Sequence, residues 1–336
     1  MNWLITGGCG FLGTSLIKRI LREEKNSNIT IVDNLLVGSR KDLENVCDFQ
    51  EITQDNLSSS SNIKLLVADI VDEKVANFST KDIDIIVHLA ANTGVQPSID
   101  NPREDLKVNI IGTFNYLNAA RLNGVSMFIT ASSGATVGNV EPPIHEEMIT
   151  RPISPYGASK LATESYCSAF YNSYGLKSAI LRFSNVYGPN SYKKNSVVAK
   201  FIKQALKDNH IVINGDGKQT RDFIYIDDLI EAIFNCSKSN LIKCDIFQIA
   251  SGVETSINKL SEIIIKHLNL SSYGNIDVRY REIQPGDVLR NYAVIDKASK
   301  ILKWKPKEDL VSGIEKTINY YLSSKLWKAI TKTKKY

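Results

Sequence analysis

Thr6-Gly7-Gly8-Cys9-Gly10-Phe11-Leu12-Gly13 is the stretch of this 336-residue sequence that decides its fold. A strand-like apolar run at residues 3–6 precedes it, and a helical apolar pattern at residues 11–24 follows it. The glycines fit both G-x-G-x-x-G and G-x-x-G-x-x-G spacing. Glycine permits a tight turn and close approach of the backbone to a pyrophosphate, whose charge is stabilised at a helix N-terminus. Strand, glycine turn and helix in this order predict a dinucleotide-binding unit.

An acidic residue stands where a dinucleotide site requires one. Asp33 ends the second predicted strand, 20 residues after Gly13. Its carboxylate can accept hydrogen bonds from an adenosine ribose diol and would repel a 2′-phosphate. The sequence therefore favours NAD over NADP, although Arg40 lies nearby and leaves that choice open.

Strand-like and helix-like segments alternate through the first half of the chain, which predicts an α/β fold: a Rossmann-type doubly wound parallel sheet with helices on both faces. The predicted strands are 3–6, 29–32, 64–68, 83–89, 127–131 and 177–182, and the helices are 11–24, 106–122, 156–174, 197–207 and 254–268. The alternation loosens after residue 185. We therefore expect an NAD-binding domain at 1–185, a smaller α/β lobe at 186–324 that mainly binds substrate, and a basic tail at 325–336.

The composition is that of an ordinary globular protein, with 43% hydrophobic and 23% charged residues. No apolar run reaches the ~20 residues of a membrane span, and no signal peptide is visible, so we expect a cytoplasmic protein without integral membrane association. The tail lysines account for the whole net charge of +5, and a neutral body argues against a nucleic-acid partner. The five cysteines contain no C-x-x-C pair and the four histidines are scattered, so we expect reduced thiols and no metal site.

A second motif predicts acid–base chemistry. Tyr156 and Lys160 are four residues apart, after a good N-cap at Ser154 and a good first helical residue at Pro155, so both side chains should share one helix face. The ammonium of Lys160 lowers the cost of a Tyr156 phenolate, and a nicotinamide cation would lower it further, which makes Tyr156 a candidate base near neutral pH. Ser133 ends another predicted strand 23 residues earlier. Its hydroxyl can hydrogen-bond the reacting oxygen, because strand C-termini open onto the cofactor cleft.

Together these motifs resemble the extended short-chain dehydrogenase/reductase family, in its branch of nucleotide-sugar epimerases and dehydratases. The likeness extends over nearly the whole chain. Besides the glycine turn it rests on Asp33, Asp69-Ile70, His88-Leu89-Ala90-Ala91, Asn109 with Gly112-Thr113, Ser133, Tyr156 with Lys160, the run from Arg182 to Pro189, Gly215-Asp216-Gly217, Arg221-Asp222-Phe223 and Pro285-Gly286-Asp287.

The resemblance implies a catalytic set, a cofactor site for NAD and a site for a nucleotide-diphosphate sugar. The catalytic set is Ser133, Tyr156 and Lys160. The implied cofactor-binding residues are Gly7, Gly10, Phe11, Leu12, Gly13, Asp33, Asn34, Asp69, Ile70, Leu89, Ala90, Ala91, Asn109, Tyr156, Lys160, Phe183 and Val186. The implied substrate-binding residues are Ser133, Asn185, Arg221 and Arg290, and the two arginines suit a diphosphate because guanidinium binds it bidentately.

The residues after Ser133 bear on the reaction. In the family that this chain resembles, 4,6-dehydratases carry an Asp-Glu pair at these positions, and decarboxylases usually carry a Glu. Gly134 and Ala135 cannot transfer a proton, which argues against dehydration and more weakly against decarboxylation. Epimerisation remains: Tyr156 takes a hydroxyl proton while hydride passes to tightly bound NAD, and hydride then returns to the other face of the keto sugar. By resemblance to UDP-glucose 4-epimerase-type enzymes, the carbon is C4 of a UDP-hexose, reached through a 4-keto intermediate.

Several readings stay open at this point. Val137 and Ser184 depart from the family pattern, and the small Ser184 suggests a pocket that tolerates an N-acetyl group. Alternatives on the same scaffold are a CDP-sugar 2-epimerase, a decarboxylase, a 4,6-dehydratase or a ketosugar reductase, and one of another class is a non-catalytic dinucleotide-binding protein.

The resemblance also implies a homodimer and a metabolic setting. Apolar residues beyond one face of the helices at 106–122 and 156–174, among them Tyr166, Phe170 and Tyr171, match a four-helix-bundle interface in relatives. Burial inside one chain is the alternative. The implied setting is carbohydrate metabolism, with polysaccharide biosynthesis as one example.

Overall fold

Fourteen strands are present in the computed structural model, which describes residues 1–53, 61–271, 275–283 and 288–323. They are β1 (Asn2–Thr6), β2 (Asn28–Asp33), β3 (Gln50–Ile52), β4 (Ile63–Val67), β5 (Ile85–His88), β6 (Met127–Ser133), β7 (Ser178–Phe183), β8 (Asn185–Tyr187), β9 (His210–Asn214), β10 (Thr220–Arg221), β11 (Phe223–Tyr225), β12 (Cys244–Ile249), β13 (Thr255–Ser256) and β14 (Asp277–Arg281). Eight of them form one sheet in the order β12-β7-β6-β5-β1-β2-β4-β3, and every pair in it is parallel. The predicted fold class is confirmed.

Twelve helices are described. They are α1 (Phe11–Glu23), α2 (Arg40–Glu44), α3 (Glu73–Ser79), α4 (Val95–Asp100), α5 (Pro102–Leu106), α6 (Thr113–Leu122), α7 (Pro155–Tyr174), α8 (Val197–Asp208), α9 (Ile226–Lys238), α10 (Ile257–Leu270), α11 (Asp296–Leu302) and α12 (Leu310–Ser323).

Two predicted helices differ from the structure at their starts. The predicted helix at 106–122 begins earlier, because Asn101 caps α5, and the π-helical segment Lys107–Gly112 joins α5 to α6. The predicted helix at 254–268 begins later, because Thr255–Ser256 pairs as a strand with β10 and the Ser256 hydroxyl then caps α10.

The central sheet is buried on both faces. Along β1, Trp3 and Ile5 contact one hydrophobic cluster, which includes residues of α1 and α9, and Leu4 contacts another, which includes residues of α3, α6 and α7. Consecutive strand residues point to opposite faces, so a strand that is apolar at every position requires helices on both sides. This arrangement explains why the short strands carry no polar alternation.

The chain returns to the sheet after its predicted domain boundary. β12 pairs with β7, with Gln248 opposite Arg182, and α9 packs against α1. Residues 226–249 therefore belong to the sheet layer, because without β12 the buried strand β7 would be an exposed edge. A boundary at residue 185 does not separate the sheet from the second lobe, and the binding roles of the two parts remain predictions. The basic tail at 325–336 and the Pro285-Gly286-Asp287 motif lie outside the described residues.

Three further features bear on function. Within the described ranges, no helix is long and apolar enough to cross a membrane. All five cysteines are free thiols. In the same part of the chain, no group of three His, Cys, Asp or Glu residues is placed to hold a metal ion.

Candidate active site

The glycine turn lies between β1 and α1. Gly7 has a φ of +71°, and a Cβ at this residue would lie 2.8 Å from the backbone nitrogen of Ala90. A Cβ on Gly13 would lie 2.4 Å from the carbonyl oxygen of Gly7. Both positions therefore require glycine. No side chain caps α1 at Gly10, so the backbone N–H groups of its first turn, at Phe11 and Leu12, are left for a ligand. This cradle fits the pyrophosphate of a dinucleotide.

Asp33 is joined to the glycine turn at the C-terminal end of β2. Its carboxylate accepts hydrogen bonds from the backbone of Cys9 at 2.9 Å and of Leu35 at 2.8 Å. Burial raises the pKa of Asp33, and these two hydrogen bonds oppose that shift. Arg40, which left the choice of cofactor open, forms a bidentate ion pair with Glu51 on the surface. That pairing adds weight to NAD over NADP.

The rest of the predicted cofactor residues follow the C-terminal ends of β2, β4 and β5. The amide of Asn34 donates to Asp69 at 3.2 Å, so these two side chains meet above the sheet edge. Ile70 is 5% exposed. After β5, the backbone of Leu89 donates to the Thr6 carbonyl at 3.1 Å, so Leu89, Ala90 and Ala91 run beside the glycine turn. Phe183 ends β7 of the central sheet, and Val186 lies in β8.

Asn109 is fully occupied by protein groups. Its amide donates to the Asn92 carbonyl at 2.9 Å, to Asp105 at 3.0 Å and to Ser159 at 3.1 Å, and its oxygen accepts from the Asn92 backbone nitrogen at 2.8 Å. Asn109 lies in the π-helical segment and is 1% exposed. The structure thus favours an indirect role, in which Asn109 holds the segment after Ala91 in place; direct cofactor contact remains a prediction.

The three predicted catalytic residues are brought together by β6 and α7. Ser133 is the last residue of β6, and its hydroxyl hydrogen-bonds Tyr156. The Lys160 ammonium donates to the Ala131 carbonyl at 3.0 Å and lies 5.9 Å from the centre of the Tyr156 ring. The predicted start of the helix is confirmed, since the Ser154 hydroxyl accepts from the backbone at residue 157 at 3.1 Å.

Burial dominates the protonation of both groups on α7. It raises the pKa of Tyr156 to about 12; the hydrogen bond to Ser133 opposes this shift and the charge of Asp105 adds to it. It lowers the pKa of Lys160 to about 8, against the charges of Asp105 and Glu164. Tyr156 is therefore protonated near neutral pH in the protein without cofactor. The expected nicotinamide cation would lower the pKa of Tyr156, so its role as a base near neutral pH remains a prediction.

Gly134 and Ala135 form a short turn directly after Ser133. A Cβ at Gly134 would lie 3.8 Å from the side-chain amide of Asn291, so Asn291 faces this part of the site. A parallel bridge between Ile144 and Ala293 joins the segment that follows the Gly134 turn to the segment that carries Asn291. Sequence reasoning missed Asn291, because it lies more than 150 residues from Ser133 in the chain and no motif marks it.

Besides Ser133, the predicted substrate residues are Asn185, Arg221 and Arg290, and their side chains have different partners. The amide of Asn185 donates to the Asp222 carbonyl at 3.2 Å. Arg221 donates to the carbonyls of Thr220 at 2.7 Å and Val288 at 2.8 Å. The guanidinium of Arg290 forms a bidentate pair with Glu254, at 2.8 and 2.9 Å, and also contacts Glu141. A diphosphate at Arg290 would have to compete with two carboxylates, so the predicted role of Arg290 has less support than that of Arg221.

Asp222, the middle residue of the Arg221-Asp222-Phe223 motif, has a structural role that its place in the motif does not predict. It is completely buried, and its carboxylate accepts from the Ser251 backbone at 2.7 Å and the Gly252 backbone at 2.9 Å. The hydroxyl of Ser184 also contacts it, at 3.3 Å. Asp222 thus holds the strand ends that carry Asn185.

The fold and this site define a class: a doubly wound dinucleotide-binding protein with a Ser-Tyr-Lys set beside the cofactor cradle. The family model described as GDP-mannose 4,6 dehydratase matches residues 4–317. The chain belongs to this family of NAD-dependent nucleotide-sugar epimerases and dehydratases, and the resemblance predicted from the motifs is confirmed.

Individual relatives are similar over almost their whole length. The UDP-glucose 4-epimerase of Mycolicibacterium smegmatis is 31% identical over 326 residues, which cover 96% of this chain and 98% of the relative. The UDP-N-acetylglucosamine 4-epimerase of Methanobrevibacter ruminantium, solved in complex with UDP-N-acetylmuramic acid, is 31% identical with a TM-score of 0.83, covering 96% and 98% of the two chains. The UDP-glucuronic acid 4-epimerase of Bacillus cereus, solved with UDP-glucuronic acid and NAD, is 28% identical with a TM-score of 0.82, covering 95% and 98%.

Proposed function

We propose that this protein is an NAD-dependent nucleotide-sugar epimerase that inverts C4 of a UDP-hexose. The observation that carries the proposal is the Ser133–Tyr156–Lys160 set beside the dinucleotide cradle, followed by two residues that cannot transfer a proton. The class of activity agrees with the names of the three relatives described above, which are 4-epimerases of UDP-sugars.

The side chains of this chain would divide the work as follows. Tyr156 takes the proton of the sugar hydroxyl, and Ser133 holds the same oxygen by a hydrogen bond. Lys160 supplies a positive charge beside the phenol. NAD held by the glycine turn and Asp33 would supply reversible hydride acceptance and a nicotinamide cation, whose charge would oppose the raised pKa of Tyr156. Proton return from Tyr156 to the oxygen completes the cycle, so no external oxidant or acid is consumed.

Dehydration is the leading alternative within the family. It needs an acid and a base near the sugar besides Tyr156, and Gly134 and Ala135 provide neither. The facing side chain, Asn291, is an amide that does not titrate. The residues after Ser133 therefore support epimerisation.

The sugar pocket is proposed to accept an N-acetyl group. Ser184 has a short side chain whose hydroxyl is turned to Asp222 at 3.3 Å, so no bulky group at this position fills the space beside Asn185. The similarity to a UDP-N-acetylglucosamine 4-epimerase agrees with this proposal. Comparing the turnover of UDP-glucose and UDP-N-acetylglucosamine tests it, and a strong preference for the unsubstituted sugar would contradict it.

A homodimer through a four-helix bundle of α6 and α7 is part of the proposal. Phe114 and Tyr166 pack against each other at 5.5 Å between ring centres and remain 37% and 41% exposed. Leu122 and Tyr174, the last residues of α6 and α7, are 59% and 57% exposed. Phe170 is 6% exposed and belongs to the core of its own chain, so it does not support an interface. Light scattering of the protein and of a Phe114→Glu variant tests the dimer.

The decisive experiment uses the purified protein with no added NAD. It is incubated with UDP-, CDP-, GDP- and dTDP-sugars, and the products are separated by chromatography with mass detection. A product of unchanged mass and shifted retention is the expected result. Loss of water or carbon dioxide would assign another reaction on the same scaffold, and no product would favour a reductase that needs NADPH or a non-catalytic protein.

A cytoplasmic location is consistent with the five free thiols and remains part of the proposal.

A further inference from the structure

Asp105 is a buried acid beside the catalytic helix that the motifs did not single out. It lies in α5 and is 1% exposed. Its carboxylate accepts from the Asn109 amide at 3.0 Å, and the same amide donates to the Ser159 hydroxyl at 3.1 Å. Ser159 immediately precedes Lys160, and its hydroxyl lies 3.0 Å from the Tyr156 carbonyl oxygen. The acid is therefore built into the first turns of the helix that carries both catalytic side chains.

No ordinary ion pair neutralises Asp105. Among the described residues, no lysine, arginine or histidine nitrogen forms a salt bridge with it within 4.0 Å. A buried carboxylate without compensating charge is costly. Burial raises the pKa of Asp105, and the charge of Lys160 opposes that rise. Lys160 is itself only 6% exposed, with the Ala131 carbonyl as its hydrogen-bond acceptor.

The other charged groups around Lys160 are already balanced or neutral. Glu164, one helical turn further along α7, is held in a bidentate pair by Arg182 of β7 at 2.7 and 2.8 Å. His88 of β5 is buried, and burial with the charge of Lys160 lowers its pKa to about 3, so it is neutral at the pH of the reaction. Tyr156 on α7 is neutral until it is deprotonated. Of the two acids whose charges act on Lys160, Glu164 is paired with an arginine and Asp105 is not.

We propose that Asp105 is the buried counter-charge of Lys160, a positioning residue that keeps the ammonium protonated in the apolar site and so sets the pH range of catalysis. The proposal concerns the site of the proposed function and rests on it for its activity test. Asp105 has opposite consequences for the two catalytic groups. Its charge favours the ammonium of Lys160 and disfavours the phenolate of Tyr156.

The first test is Asp105→Asn, which keeps the size of the side chain and a hydrogen-bonding amide. Loss of the negative charge lowers the pKa of both catalytic groups. Because activity needs the Tyr156 base and the Lys160 ammonium, both limbs of the pH profile of kcat should move to lower pH, by about one unit. The matched control is Glu104→Gln, which removes an exposed acid from the neighbouring position of α5 and should leave both limbs in place. A uniform loss of activity with unmoved limbs would show that Asp105 is only structural.

The second test measures stability and does not depend on the reaction. Lys160→Met leaves Asp105 buried without its counter-charge, so the melting temperature of the protein as isolated should fall. Adding Asp105→Asn to Lys160→Met should recover part of that fall, because the uncompensated charge is removed. If Asp105→Asn lowers the melting temperature equally in both backgrounds, the coupling does not exist and the inference is wrong. If the coupling is present but no nucleotide sugar is converted, the proposed function fails and the counter-charge role stands.

Discussion

The buried pair between Glu164 of α7 and Arg182 of β7 allows a stability prediction from the structure. The side chains are 4% and 1% exposed, and their two hydrogen bonds measure 2.8 and 2.7 Å. The Ser132 hydroxyl adds a third bond to the same carboxylate at 2.5 Å. Nη1 of Arg182 is already buried without a partner, so the guanidinium has no reserve of acceptors. The carboxylate of Glu164 is therefore its sole neutralising group among these contacts.

Glu164→Gln should cost about 3–5 kcal/mol of unfolding free energy, because it leaves Arg182 charged, buried and unpaired. At about 2 °C per kcal/mol for a chain of this size, the melting temperature should fall by roughly 6–10 °C. Urea unfolding followed by circular dichroism, together with thermal scans, measures both quantities. The double variant Glu164→Leu with Arg182→Met removes both charges and should be more stable than Glu164→Gln alone.

The matched control is Glu44→Gln. Glu44 pairs with Lys41 on the surface, where the side chains are 50% and 67% exposed, and the cost should stay within about 0.5 kcal/mol. A cost below about 1 kcal/mol for Glu164→Gln would refute the reasoning. It would mean that solvent or a rearrangement compensates Arg182 in a site that the structure shows as closed.

Four further predictions concern the site. Tyr156→Phe should lower kcat by about 10²–10⁴-fold while calorimetry still detects nucleotide-sugar binding; unchanged turnover would exclude Tyr156 as the base. Gly13→Ala places a Cβ 2.4 Å from the Gly7 oxygen and should abolish retention of NAD, measured in the extract of denatured protein. Because the pKa of Lys160 is lowered to about 8, kcat should fall as pH rises through that value, and Lys160→Arg, if active, should lose this limb since guanidinium stays charged. Ser154→Ala should cost about 1 kcal/mol in urea unfolding through loss of the α7 cap.

Local chemistry made much of the cofactor site predictable. Asp33 follows the glycine turn by about 20 residues, the usual length of a helix and the next strand, so the position of one predicts the position of the other. Tyr156 and Lys160 are one helical turn apart, so a single helix places both side chains. The cap at Ser154 is equally local. Alternation of strand and helix fixed the sheet as parallel, and the C-terminal ends of its strands then had to meet at the cofactor.

Tertiary structure alone decided what depends on contacts between distant segments. It returned β12 to the sheet beside β7, placed Asn291 against Gly134 and tied Arg290 to Glu254. It also set the protonation of the catalytic groups: the spacing of Tyr156 and Lys160 indicates that the ammonium favours the phenolate, whereas burial in the folded chain raises the pKa of Tyr156 to about 12. Sequence spacing indicates which groups share a helix face. A pKa depends on how far a group is removed from solvent and on which charges lie near it, and both depend on every element that packs around that face in the folded chain.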